Sequence, residues 1–367
     1  MKALKKICAA ILALMMLTAM TGCHKKNEVA VTVGDYEFTS AYYMTALMAA
    51  DSEAKTKVDE AKAEKEDSKE ESKETEETDY YAEKIDGKKY VEWVEDKAIE
   101  NLKKIAAYKT LCKENKLELD KETETNVKSY AEYYWSSYGY GAYYEPNGVS
   151  IDTYTKYMRD SYYSSLYFDH VYGEGGEKEI AADTVKTKIN ENFVIANILS
   201  ASFSEMTEED AKSTKDKFND YATELKEGKR SFLEIYNEYN KVEEKKEETK
   251  TEETDEPKPK DENASIIGAE DTTYESEYYK DIKAMAVGEV KVIENEDESG
   301  IILVVKQDLA ADEYYYDTLD TEARHLIADE EYEKDITDYA KKLDCEINKY
   351  AVSQFKVKKI KAPEATA

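Results

Sequence analysis

Chemistry in this 367-residue chain must be drawn from an unusual stock of side chains. There are three histidines, His24, His170 and His325, and four cysteines, Cys8, Cys23, Cys112 and Cys345. They form no Cys/His group at the spacing of a structural zinc site, so no metal and no cofactor are expected. Cys8 lies in the N-terminal segment and Cys23 at its end, leaving Cys112 and Cys345 for the folded part, too few for a disulfide framework. Adjacent acids, Glu208-Glu209 and Glu330-Glu331, could suggest hydrolytic carboxylate pairs, but solvated helix faces explain them better. Tyrosine is the surplus, with 32 copies against 7 Phe and 2 Trp. Such rings offer large amphipathic area at low side-chain entropy cost, as a cradle for unfolded chains would require. Alternatively they replace Phe and Leu on helix faces. The helix-face reading is favoured for Tyr154 and Tyr162, and both readings stand for the run from Tyr138 to Tyr144.

The elements that must position these groups are framed by charge. The formal net charge is −30. Nucleic acid is excluded as a partner, since its affinity comes from neutralising phosphates with cations. An anionic membrane surface is repelled too, so any attachment must be covalent or inserted. The length suffices for two domains with real cores.

Residues 1–22 read as a secretory signal. Lys2, Lys5 and Lys6 form a positive region, and Ile7 to Met16 an apolar stretch too short to span a bilayer. The following Leu17-Thr18-Ala19-Met20-Thr21-Gly22-Cys23 resembles the bacterial lipobox, with Met20 where Leu is usual. The resemblance implies cleavage before Cys23, acylation of its thiol, and a lipid anchor on the outer face of the cytoplasmic membrane. Residues 23–28 are then a tether.

Val29 to Val33 alternates like a strand and turns at Gly34-Asp35. Thr39 caps a helix carrying Tyr42, Tyr43, Ala46 and Leu47. Residues 51–78 are nearly free of apolar side chains and are expected to be a disordered charged insert. Val91, Val94, Ala98, Leu102, Ile105 and Cys112 predict a helix to about Asn115. A second runs from about Lys121 to Ser136, and a third opens at Ser150 with Tyr154, Met158, Tyr162 and Leu166 on one face. A short helix from Asp183 feeds an apolar strand at Val194–Leu199. Thr207 caps a helix ending at Gly228, and Ser231 to Asn240 forms another. Residues 241–262 are a second expected disordered insert. Val287-Gly288-Glu289-Val290 turns into a strand, Gly300 to Lys306 is a buried strand, and Asp320 to about Tyr350 a helix. Residues 356–367 are a flexible tail.

Phe232, Ile235, Glu238, Tyr239 and Asn240 are similar to a helix of the parvulin family of peptidyl-prolyl isomerases. Ile267 and Gly268 keep part of that family's "G-G-D-L-G" motif, and Met285, Val287, Gly288 and Glu289 match its "A-L-x-x-G-E" turn. The flanking helices, with Gly148-Val149-Ser150 as a cap, resemble the holder of PrsA- or SurA-type secretion foldases. The resemblance implies an α+β chain: a mainly helical N-terminal chaperone domain (residues 29–192) completed by a C-terminal helix (310–355), with an inserted antiparallel-sheet, parvulin-like domain (193–309). It would place Ile267, Tyr274 and Tyr278 in the substrate pocket. The family's two histidines, which face each other beneath that pocket, correspond here to Asn197 and Ile302. Cys112 and Cys345 would come close on two helices, paired or as inert thiols.

Prolyl isomerisation needs no nucleophile and no proton transfer, only the lowering of a rotation barrier of about 18–20 kcal/mol. A pocket without the His pair could keep weak activity or none. The resemblance therefore implies a lipid-anchored chaperone binding unfolded or proline-containing secreted polypeptides. The alternatives are an active isomerase and an envelope scaffold on an isomerase frame, and homodimerisation is left open.

Overall fold

The computed structural model describes residues 27–66, 78–241, 258–269, 278–295 and 299–362. The signal segment, Cys23, Tyr274, most of the second insert and the last five residues lie outside them. The chain divides into two compact units, one formed by the residues up to Glu179 with those from Glu330, the other by Ile180–Asp329. The second is wider than the expected 193–309.

The helical unit opens with strands β1 (Val29–Val33) and β2 (Tyr36–Thr39), joined through Gly34 at φ +54°, a left-handed conformation that glycine adopts at little cost. Thr39 accepts a hydrogen bond from the Tyr42 amide and starts helix α1 (Ser40–Glu66). This helix runs well beyond Asp51, where the sequence predicts a disordered insert. Ala54 and Val58 continue its inner face, both buried. The Asp51 carboxylate is met by the Tyr90 hydroxyl at 2.9 Å and by Lys55 at 2.8 Å. Glu, Lys and Ala also favour helix intrinsically, so a few anchored side chains suffice to hold its last turns.

After a small hairpin, β3 (Lys84–Ile85) and β4 (Lys88–Lys89), helix α2 (Tyr90–Glu114) buries Val94, Ala98, Leu102, Ile105 and Cys112. Helices α3 (Lys121–Ser137), α4 (Tyr140–Tyr144) and α5 (Ile151–Tyr172) follow, the first capped by Asp120 and the last by Ser150. The inner face of α5 runs through Tyr154, Asp160, Phe168 and Tyr172, while Tyr162 and Leu166 are only half-buried. Buried Asp160 sets that face. Its Oδ2 accepts from the Tyr42 hydroxyl at 3.0 Å and pairs with Lys109 at 2.9 Å.

The sheet unit begins with α6 (Ala182–Asn192) and strand β5 (Phe193–Ser202). Helices α7 (Glu208–Lys226) and α8 (Phe232–Tyr239), strand β6 (Ala264–Gly268), helix α9 (Tyr279–Ala284) and strands β7 (Val290–Glu294) and β8 (Gly300–Lys306) complete it. The four strands form an antiparallel sheet in the order β6-β5-β8-β7. On one face Leu199, Ala201, Ile301 and Leu303 meet Phe218, Tyr221 and Ile235. On the other, Val194, Ala196, Ile302 and Val304 meet Ile282 and Met285. Phe193 and Ile195 pack with Val185 and Ile189 of α6 and with Leu319, which is why this unit starts before Phe193 and ends after Leu309.

Helix α10 (Glu313–Ala340) contributes its first part to the sheet unit and its last part to the helical unit. There Tyr332 stacks on Tyr108 at 6.1 Å and meets Phe168 edge-on at 5.1 Å. The helix expected to reach Tyr350 stops at Ala340. Strand β9 (Cys345–Ile347) then pairs with β1, Val33 opposite Cys345, followed by α11 (Lys349–Ser353). The free edge of β1 offers backbone partners that an extended helix could not use. Cys345 thus lies on a strand rather than a helix. Both cysteines are free, Cys112 fully buried with its thiol pushed up to about 11 by burial.

Candidate functional site

Strand β5 is buried on both faces through its first half, and its alternation decides which side chains can meet. Val305 lies opposite Asn197, and Ile302 lies opposite Ser200. Asn197 and Ile302 are thus an odd number of rungs apart, and successive strand residues point to opposite faces. The two positions expected to face each other stand on opposite sides of the sheet. Ile302 is fully buried among Val304, Ile282 and Met285.

Asn197 is 2% exposed and committed at both ends. Its Nδ2 donates to Asp261 Oδ2 at 2.9 Å, and its Oδ1 accepts from Gln307 Nε2. Asp261 also takes the Asn263 amide at 3.0 Å. Burial pushes the Asp261 carboxyl upward, but the hydrogen bonds from Asn197 and Asn263 outweigh it and hold the group below its usual range. A buried amide must find partners, and here its nitrogen and its oxygen each have one within the protein.

Of the three pocket residues expected from sequence, Tyr274 lies outside the described residues. Ile267 and Tyr278 are each 1% exposed, packed between the sheet and α9. They are brought together, but as closed core rather than as the floor of an open pocket. Apolar alternation reads burial correctly and cannot distinguish a core side from a pocket side.

The open surface of this unit lies elsewhere. Where β6 begins opposite Asn197, a cleft of about 360 Å³ is lined by Ile198, Leu199 and Ser200 of β5, Tyr236 of α8, Asn240 and the Glu262–Ser265 segment. Its lining offers hydroxyls, amides, the Glu262 carboxylate and one aromatic ring, which can hold a peptide by hydrogen bonds and packing. Helix α8 is fixed beside it by a capping box. Ser231 Oγ accepts from the Glu234 amide, and the Glu234 carboxylate accepts from the Ser231 amide at 2.7 Å. Glu238 pins α8 to α7 through the Tyr221 hydroxyl at 2.7 Å and Arg230 at 2.8 Å, and the Tyr221 bond, with Arg230 and Lys217, lowers its carboxyl. The parvulin-like match at Glu238 is therefore a structural contact.

The turn at Val287-Gly288-Glu289 is likewise structural. Gly288 adopts φ +77° and donates its amide to the Lys306 carbonyl at 2.8 Å, while Glu289 accepts from the Ala286 amide at 2.8 Å. Sequence reasoning missed Asp261 and Gln307, which decide what Asn197 can do. Neither carries a periodic signal, since each lies outside a strand and is placed only by tertiary pairing. Among the described residues no helix is long and apolar enough to cross a membrane. No group of three or more potential metal ligands occurs among them either.

No protein-family model and no curated protein matches the chain. Solved structures similar to it include the foldase protein PrsA from Lactococcus lactis, at 17% identity over 71% of this chain and 89% of that one, with a TM-score of 0.39. PrsA from Streptococcus pneumoniae is similar at 17% identity over 71% and 85%, with a TM-score of 0.37. PrsA from Bacillus subtilis is similar at 13% identity over 70% and 88%, with a TM-score of 0.30. Superposition at these scores does not carry a function over to this chain.

Proposed function

We propose that this chain is a lipid-anchored extracytoplasmic foldase that acts as a chaperone for unfolded secreted polypeptides, its sheet unit binding segments with weak or no isomerase activity. The observation that carries this reading is the state of Asn197. It stands at the position of a reactive-site histidine in the parvulin-like pattern, and both ends of its amide are spent on Asp261 and Gln307. Ile302, the second such position, is core on the other face. A side chain held at both ends by protein partners has less to offer a twisted amide over a planar one, the difference that catalysis requires. Binding makes no such demand, and the cleft beside α8 offers peptide-sized space.

The test is suppression of aggregation of a chemically unfolded secreted protein, diluted into the full chain in detergent micelles. Aggregation falling in proportion to the chain added is expected. Unchanged aggregation at several-fold molar excess refutes the reading. In cells, Cys23→Ser should release the protein from the membrane fraction, and retention there would remove the anchor from the proposal.

A further inference from the structure

The helical unit holds the larger cavity, about 800 Å³, and the resemblance assigns it no role. It opens between α1, the segment Thr78–Tyr81 and the α3–α4 turn. Among the described residues it is faced by Tyr80, Tyr81, Tyr138, Tyr140 and Tyr143. Tyr138 is 61% exposed, Tyr81 41% and Tyr140 38%. Exposed aromatic side chains gathered around one cleft, rather than scattered singly, mark a contact site.

These rings are held in place from behind. Tyr140 stacks on Tyr134 at 5.7 Å and meets Tyr154 edge-on at 5.8 Å, and Tyr138 packs on Tyr134 at 5.3 Å. Tyr81 meets Tyr90 edge-on at 5.6 Å. Rigid aromatic anchors of this kind lose little freedom when a ligand covers them.

The charges of the cleft select the ligand. Asp51 and Lys55 pair at 2.8 Å and cancel. Asp79 remains, exposed at the mouth. It accepts the Tyr81 amide at 3.1 Å, and among the described residues no lysine or arginine forms an ion pair with it. Two of the rings already carry an ammonium group, Lys55 at 5.9 Å from the Tyr80 centroid and Lys358 at 5.3 Å from that of Tyr81. Among the described residues no cation lies over Tyr138, Tyr140 or Tyr143. A cation over such rings, with a carboxylate beside it, gains from both. The net charge of −30 draws basic segments towards the chain and repels acidic ones.

We infer that this tyrosine cleft binds an extended polypeptide segment carrying an arginine or lysine flanked by apolar residues, the cation lying over the free rings with Asp79 as counter-charge. This deepens the chaperone reading and rests on it.

The test uses the full chain in micelles and fluorescence anisotropy of labelled ten-residue peptides with a central Arg, Gln or Glu between Val and Leu. The Arg peptide is expected to bind about three- to tenfold more tightly than the Gln peptide, and the Glu peptide most weakly. Asp79→Asn should abolish the Arg preference while leaving Gln-peptide binding unchanged. Tyr138→Ala should weaken the Arg peptide several-fold, and Tyr138→Phe should restore it. Tyr140→Ala loses buttressing contacts and could unfold the turn, so the exposed Tyr138 and Asp79 variants decide the matter. Equal binding of the three peptides, or Asp79→Asn and Tyr138→Ala variants indistinguishable from wild type, overturns the inference. If client aggregation is still suppressed in that case, the chaperone reading survives; if it is not, both fail. A neutral oligosaccharide bound in a Tyr138-dependent manner, with no peptide bound, gives the cleft to a glycan and overturns the inference too.

Discussion

One buried polar side chain in each unit sets the two apart, for these are built on opposite plans. In the helical unit it is an ion: Asp160, fully buried, holds Tyr42 and Lys109 on one oxygen. Its other oxygen takes no hydrogen bond among the described residues and lies 3.9 Å from the Arg159 guanidinium. In the sheet unit it is a neutral amide, Asn197, satisfied at both ends. The first ties three helices together through a charge that would be costly to leave alone. The second occupies a position where chemistry would be sought and is held there by two protein side chains. A buried polar residue at a catalytic position is therefore weak evidence of catalysis until its partners are counted.

Breaking the ion should cost most. Asp160→Ala strands Lys109 and removes the acceptor of Tyr42, so stability of the helical unit should fall by about 3–5 kcal/mol, read as a lower denaturant midpoint. Loss of under about 1 kcal/mol would show that the pair is dispensable. Asn197→Ala leaves Asp261 and Gln307 short of a partner and should cost about 1–3 kcal/mol, with isomerase rate unchanged. A fall in isomerase rate would instead make Asn197 catalytic. Ser231→Ala removes one half of the α8 capping box and should cost about 0.5–2 kcal/mol. It should weaken peptide binding at the α8 cleft without touching the tyrosine cleft.

Acid should separate the units by a smaller margin. The Asp261 and Glu238 carboxyls are held below their usual range, so their contribution to the sheet unit is present above the ordinary carboxylate pKa of about 4. It is lost as pH falls through the lowered folded values. Asn197→Ala should flatten this acid dependence, because Asp261 then loses one of the bonds that depress it. An unaltered acid profile in the variant would contradict the assignment.

Much of the fold was legible in local signals. The Gly34 turn, the Thr39, Ser150 and Thr207 caps and the apolar strands all stand where residue type and spacing put them. The continuation of α1 past Asp51 was not, because Ala54 and Val58 gain their burial from distant partners in a segment whose composition reads as solvated. The stop of α10 at Ala340 was hidden for a related reason: a strand edge available on β1, formed about 300 residues earlier in the chain, outweighs local helix preference. At the candidate site, the sequence marks Asn197 and Ile302 but not their faces. Register is a property of pairing, and one rung of difference moves a side chain through the sheet. Ile267 and Tyr278 show the same limit, apolar by pattern and core by packing.

The most direct test of binding without catalysis is the cis-to-trans relaxation of an Xaa-Pro tetrapeptide at saturating concentrations of the full chain. The account predicts relaxation close to the uncatalysed course of tens to hundreds of seconds, with any acceleration below about tenfold. Acceleration of about a hundredfold or more, lost in Asn197→Ala, would contradict it and make this chain an enzyme.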